Sequence, residues 1–171
     1  MSERVLHVRH DFPGLPKPSE IRLVLSDQPP PSELTTGAFA LAFDGDRLLM
    51  TDERGRGLNI IGGGVEPGET PEEAVRREAA EEAAAELADL ELLGYQHVRV
   101  LGPKPEGYRF LYPESYMVVF RARVAALGPF EPNESATGRA LVPPAEVPGT
   151  FWGGFPENRL LYEAARPPAR A

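Results

Sequence analysis

Three glutamates in one stretch of the chain have the type and spacing of a metal site. Glu78, Glu81 and Glu82 stand at positions i, i+3 and i+4, which in a helix places all three on one face. Like charges at this spacing repel one another, so a cation among them would stabilise the ionised carboxylates. The chain has no Cys and only 3 scattered His residues. Oxygen ligands of this kind suit Mg²⁺ first and Mn²⁺ or Ca²⁺ next.

A glycine turn and one ion pair are expected to support this cation site. Gly62 and Gly63 begin a glycine-rich turn ahead of the acidic segment, and a backbone carbonyl group of this turn could complete the coordination of the cation. Arg77 lies beside the acidic face, and Glu69 lies just before the segment. We expect these two side chains to pair and hold the turn steady against the metal ligands.

The acidic face requires a helix, and the sequence marks where that helix starts. Thr70 can cap the helix, Pro71 suits its first position, and Glu73 can complete a reciprocal capping box. The alanine-rich segment that follows predicts a helix that runs to about Leu87. Patterns of apolar and turn residues predict strands over 38–43, 47–50, 58–61, 92–101, 115–124 and 139–142, and a terminal helix over 157–165.

The chain is interpreted as one domain, residues 1–171, with three parts. Residues 1–36 are rich in proline and are expected to form an N-terminal extension of loops and short extended pieces, without a helix. Residues 37–165 are the predicted core, and residues 166–171 are a predicted frayed tail.

The composition argues against several classes of function. With 26 acidic against 18 basic residues the net charge is −8, which argues against a nucleic acid or an anionic membrane as the main partner. The absence of Cys excludes disulfides, thiolate zinc sites and cysteine nucleophiles. The chain does not open on an apolar stretch of signal length, and no run of about 18 apolar residues occurs in it, so we expect a soluble protein of the cytoplasm.

The glycine turn and the acidic segment together resemble the Nudix box. The match runs as Gly63, five residues, Glu69, seven residues, then Arg77-Glu78-Ala79-Ala80-Glu81-Glu82. Ala84 stands where the box has Gly, and we expect it to extend the helix; Ile61 stands where Pro is common. Neither position supplies a metal ligand. These departures affect the geometry at the end of the helix and leave the chemistry in place.

The resemblance implies an α/β fold, a Nudix-type α/β/α sandwich with a mixed β-sheet. It implies a magnesium-dependent hydrolase of phosphoanhydride bonds in nucleoside di- or triphosphates, with Mn²⁺ as a possible substitute. By this resemblance Glu82 is a principal metal ligand, Glu78 and Glu81 share coordination and base duties, the Gly62 carbonyl joins them, and Arg77 supports catalysis. A further Glu from a later loop is often the general base in the family, and Glu134 or Glu131 is our candidate.

Substrate contacts are predicted outside the box as well. Arg54 and Arg56 could reach phosphates from the loop ahead of the box, although exposed Arg residues are common. Trp152 could stack on a nucleobase, but packing in the core under a loop is the stronger alternative. Tyr108, Phe110 and Tyr112 alternate as on one face of a strand, which favours a packing stripe over a binding cage.

Other substrates and a non-enzymatic role stay open at this stage. Family members also act on ADP-ribose, dinucleoside polyphosphates and coenzyme A, but Val100 and the residues after it lack the tags that mark the first two. Isopentenyl diphosphate isomerases share the scaffold and rely on a Cys, which this chain lacks. A non-catalytic nucleotide sensor is the alternative from another class, and sensors usually lose the box carboxylates that are retained here. A homodimer is possible.

Overall fold

The computed structural model describes residues 3–168, and a single mixed β-sheet runs through the middle of this part of the chain. The strands are β1 (Arg4–His10), β2 (Ser19–Leu25), β3 (Thr35–Asp44), β4 (Arg47–Asp52), β5 (Leu58–Gly64), β6 (Ala85–Val100), β7 (Glu114–Leu127) and β8 (Gly138–Val142). Their order across the sheet is β1-β2-β6-β7-β3-β5-β4-β8. The β3–β7 pair is parallel and the other pairs are antiparallel, which confirms the predicted mixed sheet.

Two helices cover opposite faces of this sheet. Helix α1 (Pro71–Ala83) packs its alanine-rich side on one face, where Ala74 and Val75 join a core cluster. Helix α2 (Pro156–Ala165) packs on the other face, where Leu161 and Tyr162 join a second cluster. Short 3₁₀ turns occur at Ser32–Leu34 and Pro144–Gly149. The predicted α/β sandwich is therefore confirmed.

Helix α1 begins as predicted but ends earlier. Thr70 accepts a hydrogen bond from the Glu73 backbone N–H, and the Glu73 side chain accepts one from the Thr70 backbone N–H, which completes the capping box. The helix ends at Ala83, because Ala84 adopts a left-handed conformation with φ 47° and β6 begins at the next residue. The prediction of a helix to Leu87, extended by Ala84, was wrong, since pairing of Ala85 with Leu127 of β7 takes over.

The N-terminal residues, which were expected to form loops and short extended pieces, contribute two strands to the sheet. Strand β2 pairs along its length with β6, and Leu23 and Leu25 are buried in the second core cluster. The prolines lie outside the strands, in the turn from Asp11 to Pro18 and in the connection that follows β2. Their number suggested an irregular extension because the two short strands before and between them carry little periodic signal.

The remaining elements lie near their predicted positions, with one exception. Residues 101–113, between β6 and β7, form an irregular loop, so the expected packing stripe of Tyr108 and Phe110 was wrong. Phe110 is 73% exposed and contacts the Tyr108 ring edge to face. Among the described residues, no helix is long and apolar enough to cross a membrane. Of the predicted tail, residues 169–171 lie outside the described residues.

Candidate active site

The glycine turn at the end of β5 brings the backbone against the acidic face of α1. A Cβ atom at Gly63 would overlap the carboxylate of Glu78, which would have to shift from its place against the turn. Gly62 has φ 148°, and a Cβ atom there would overlap the carbonyl oxygen of Ala38 in β3. Gly62 therefore requires glycine, because its conformation is left-handed and the backbone of β3 lies against it.

Arg77 is the centre of a hydrogen-bonded network that joins the turn to the helix. Its Nε atom donates to Glu69 Oε1 at 2.8 Å and its Nη2 atom to Glu69 Oε2 at 3.1 Å, a two-point contact. The same Nη2 atom donates to the Gly64 carbonyl oxygen at 3.0 Å. The hydrogen bonds from Arg77 hold the pKa of Glu69 below its usual range. The carboxylates of Glu69 and Glu78 in turn raise the pKa of Arg77. The expected pair of Arg77 and Glu69 is thus present.

The three carboxylates of the acidic face have different surroundings. Arg77 Nη1 donates to Glu78 Oε1 at 2.8 Å and to Glu81 Oε2 at 3.4 Å, and the Glu81 side chain is largely exposed. Glu82 is buried and accepts a hydrogen bond from the Gly62 backbone N–H at 3.3 Å. Burial, with a smaller contribution from the charges of Glu78, Glu53 and Glu81, raises the pKa of Glu82 to about 8, and the hydrogen bond from Gly62 acts in the opposite direction.

A family comparison identifies this turn and helix. The NUDIX domain model matches residues 33–164 of the chain. The chain belongs to the Nudix family. The resemblance of residues 63–82 to the Nudix box is thereby confirmed.

Known Nudix proteins resemble the chain in sequence and in structure. A putative 8-oxo-dGTP diphosphatase, YtkD of Bacillus subtilis (strain 168), is 37% identical over 82 residues, which are 48% of this chain and only 50% of that protein. The crystal structure of the Bacillus subtilis pyrophosphohydrolase BsRppH superposes with a TM-score of 0.66 at 21% identity, covering 93% of this chain and 95% of that one. An ADP-ribose pyrophosphatase from Streptococcus suis 89-1591 gives a TM-score of 0.51 at 19% identity, covering 79% and 94%. At these identities the two structures show a shared fold.

The donor set of the Nudix box fits a hard divalent cation, the kind of ion that Nudix hydrolases generally use. Among residues 3–168 no three acidic or His side chains are gathered into a closed metal cluster, because Glu78 is turned toward Arg77 and Glu81 is exposed. Glu82, however, is a buried carboxylate whose charge is disfavoured and to which no Lys or Arg of the described residues is paired. A cation bound beside it would lower the energy of the ionised form.

One acidic residue near the box was missed by the sequence analysis. Glu53 follows β4 in the β4–β5 loop (residues 53–57), and its charge acts on Glu82 strongly enough to raise the pKa of that carboxyl. The sequence pointed to this loop for Arg54 and Arg56, both of which are exposed. No spacing rule links Glu53 to the box helix, because their proximity depends on the register of β4 and β5 in the sheet.

The loop that carries the candidate base contacts α1 through a neighbouring residue. Glu134 and Glu131 are exposed and lie in the β7–β8 loop (residues 128–137). In this loop Asn133 Nδ2 donates to the Glu81 carbonyl oxygen at 3.0 Å. The β7–β8 loop therefore contacts the C-terminal end of α1 through Asn133, and within the described part of the chain the carboxylate of Glu134 makes no hydrogen bond to that end.

Trp152 is part of the core, and it also lines a cavity on the face of the sheet opposite α1. It is 7% exposed, and its backbone N–H donates to the Leu58 carbonyl oxygen at 3.1 Å. The cavity has a volume of about 330 Å³, within the range of ligand pockets. Its wall includes the exposed rings of Phe151 and Phe155, which contact each other edge to face, and the polar side chains of Asn59, Gln96 and Asn158.

Proposed function

We propose that the protein hydrolyses a phosphoanhydride bond of nucleoside di- or triphosphates with Mg²⁺, or Mn²⁺ in its place. The observation that carries this proposal is the buried carboxylate of Glu82, which lies among the charges of Glu78, Glu53 and Glu81 and contacts the glycine turn through Gly62. A structural role does not explain such a group, because burial of an uncompensated carboxylate is unfavourable.

The box residues have complementary tasks in this proposal. Glu82, Glu78, Glu81 and the carbonyl group of Gly62 would hold the cation, which when bound would supply neutralisation of phosphate charge and activation of the attacking water. Arg77 fixes the turn to the helix, through the hydrogen bonds described above, and keeps the ligands in place. Glu134, with Glu131 as the alternative, accepts the proton of the attacking water from the β7–β8 loop.

The cavity beside Trp152 is our candidate for the nucleobase. A planar base could stack on Phe151 or Phe155. Its donors and acceptors could form hydrogen bonds with the side-chain amides of Asn59, Gln96 and Asn158. The β4–β5 loop connects this cavity to the acidic helix, because Gly57 packs on Phe151 while Glu53 acts on Glu82. The exposure of Arg54 and Arg56 in the same loop supports our proposal that they contact the phosphates.

A purine nucleoside triphosphate is the first substrate to test. The support comes from the relative described as a putative 8-oxo-dGTP diphosphatase, whose alignment covers half of its length. A small molecule is the expected partner, with no nucleic acid and no membrane. The cytoplasmic location and the homodimer stay predictions.

A nucleoside diphosphate derivative is the second candidate, because the first cavity adjoins a larger one. The second cavity, of about 660 Å³, shares Phe12 and Met117 with the first and is walled by Tyr108 and Phe110. This space suits a substrate with a second group beyond its phosphates, such as ADP-ribose, a dinucleoside polyphosphate or coenzyme A.

Turnover decides between these substrates and a sensor. The purified protein is incubated with nucleoside di- and triphosphates, including 8-oxo-dGTP, and with ADP-ribose, diadenosine polyphosphates and coenzyme A, each with Mg²⁺ or with EDTA. We expect magnesium-dependent release of phosphate or pyrophosphate from one group, and loss of that activity in Glu82→Gln. Tight nucleotide binding without turnover of any compound would contradict the hydrolase proposal and support a non-catalytic sensor.

A further inference from the structure

The C-terminal end of α1 is held by groups that come from β8 and the β7–β8 loop. Arg139 Nη1 donates to the Ala83 carbonyl oxygen at 2.7 Å, Asn133 Nδ2 donates to that of Glu81, and the Gly128 backbone N–H donates to that of Ala84 at 2.8 Å. These carbonyls would otherwise lack partners, because the last turn of a helix has no following N–H groups. The end of the box helix is therefore fixed by residues more than 40 positions away in the chain.

Arg139 bridges three elements at this point. Besides Ala83, its Nη1 atom donates to the Gly128 carbonyl oxygen at 3.0 Å, and its guanidinium lies 5.4 Å from the centre of the Phe130 ring. Within residues 3–168 it forms no ion pair with a carboxylate. Its backbone pairs with Thr51 of β4, directly before the loop that carries Glu53. Its donors thus serve backbone carbonyls, as in a helix cap.

Asn133 connects the β7–β8 loop to the same turn of α1. Its side-chain oxygen accepts hydrogen bonds from the backbone N–H groups of Ser135 at 2.8 Å and Ala136 at 3.0 Å, which shapes the loop. Its side-chain amide group then donates to the Glu81 carbonyl oxygen at 3.0 Å. Glu134, the candidate base, lies next to Asn133. The Asn133 side chain therefore fixes the position of the loop relative to the turn of α1 that carries Glu81 and Glu82.

We infer that Arg139 and Asn133 are positioning residues of the active site, an inference that rests on the proposed function. The box Gly is replaced by Ala84, which must adopt φ 47°, a conformation that is unfavourable for a residue with a Cβ atom. Contacts from Arg139 and Gly128 on both sides of this residue stabilise the turn. They set the position of Glu81 and Glu82 relative to the β7–β8 loop.

The test compares Arg139→Met and Arg139→Lys with a matched control. Methionine keeps much of the side-chain length but removes every donor, whereas lysine keeps the charge and one capping contact. Arg123→Met is the control, because Arg123 is an exposed residue of β7 whose partner is Asp89. We expect Arg139→Met to lower kcat by about tenfold or more, the usual effect of losing support behind a metal ligand. KM should stay near the wild-type value, because the cavity for the base lies on the opposite face of the sheet.

Binding of Mn²⁺ without substrate separates positioning from mere loss of folded protein. Partial unfolding lowers the number of Mn²⁺ sites per protein, whereas displaced ligands raise the Kd for Mn²⁺; electron paramagnetic resonance measures both quantities. We expect Arg139→Met to raise this Kd by about tenfold or more. Arg139→Lys should recover part of the lost Mn²⁺ affinity, and Arg123→Met should have the affinity of the wild type. A folded Arg139→Met protein with wild-type kcat and Mn²⁺ affinity would overturn the inference. Silence of the wild-type enzyme on every substrate would instead count against the proposed function, while the Mn²⁺ measurement still tests the positioning.

Asn133→Asp provides a second variant if Arg139→Met does not fold. Aspartate keeps the acceptor for Ser135 and Ala136, but its second oxygen cannot donate to the Glu81 carbonyl oxygen and repels it, so the loop keeps its main turn and is released from α1. We expect a lower kcat and weaker Mn²⁺ binding, with a melting temperature near that of the wild type. Wild-type values for both quantities would remove Asn133 from the proposal.

Discussion

The two ends of α1 are terminated by different kinds of contact. At the N-terminal end, Thr70 and Glu73 satisfy each other's backbone N–H groups within four residues of sequence. At the C-terminal end, the carbonyls are bound by Arg139, Asn133 and Gly128, which lie in or beside another loop. Glu82, the carboxylate that we propose as a metal ligand, lies at the second end. Local contacts thus determine where the helix starts, while tertiary contacts determine the position of the end that carries the proposed ligands.

Glu82→Gln should have the largest effect, because it removes the buried charge at the C-terminal end. We expect turnover to fall by about 100-fold or more, since a preorganised charge that supports the transition state is lost. The fold should persist, because a neutral amide is easier to bury than an uncompensated carboxylate. Steady-state kinetics and thermal melting with and without Mg²⁺ measure both effects, and Mg²⁺ should raise Tm only in the wild type.

Glu72→Gln is the matched control for this variant, because Glu72 lies on the same helix at its N-terminal end and is exposed. It should turn over substrate like the wild type. Wild-type activity in Glu82→Gln would contradict the assignment of the metal site.

Arg77→Lys should have the next largest effect, because Arg77 joins the glycine turn and Glu69 to the carboxylate face of α1. Lysine keeps the charge but cannot make the two-point contact to Glu69 while also binding Glu78 and the Gly64 carbonyl group. We expect kcat to fall by about tenfold. Arg76→Lys serves as the control, since Arg76 donates to the Leu87 carbonyl group and does not contact the carboxylate cluster. If Arg77→Lys had the same kcat and KM as Arg76→Lys and the wild type, the two-point contact of the Arg77 guanidinium would be dispensable.

Thr70→Ala should lower stability without changing the chemistry. Loss of an N-cap side chain typically costs about 1 kcal/mol in the free energy of unfolding. The carboxylates lie two to three turns away and are held by other contacts, so kcat should stay unchanged. Urea unfolding and kinetics at a temperature well below Tm make the comparison, with Thr70→Ser as the conservative control. A fall in kcat as large as that expected for Arg139→Met would erase the distinction between the two ends.

The same contrast explains what could be predicted from the sequence. The start of α1, the hairpin of β3 and β4 and the family box follow from local signals, namely a capping box, a turn and a fixed spacing. The end of α1 could not be predicted, because Arg139 and Asn133 reach it only once β8 has joined the edge of the sheet. The role of Glu53 was missed for the same reason. Strands β1 and β2 were missed because the surrounding prolines obscured two short segments that are defined by pairing with each other and with β6.

Ala84→Gly should have the smallest effect, and it tests whether the tertiary contacts compensate for the missing box glycine. Glycine relieves the left-handed strain, worth about 1 to 2 kcal/mol, but adds entropy to the unfolded chain, worth about 0.4 to 1 kcal/mol. The net gain in unfolding free energy should therefore lie between about 0 and 1.6 kcal/mol. Activity should change little in the wild-type background, since Arg139 and Gly128 already hold the turn.

In the Arg139→Met background, Ala84→Gly should restore part of the lost kcat, because the turn then depends less on its side-chain cap. A double-mutant cycle of kcat and Mn²⁺ affinity measures this coupling. If the two substitutions had additive effects, the contacts of Arg139 would not compensate for the strain at Ala84. A large rate gain from Ala84→Gly alone would show instead that the contacts of Arg139 leave the box helix imperfectly placed.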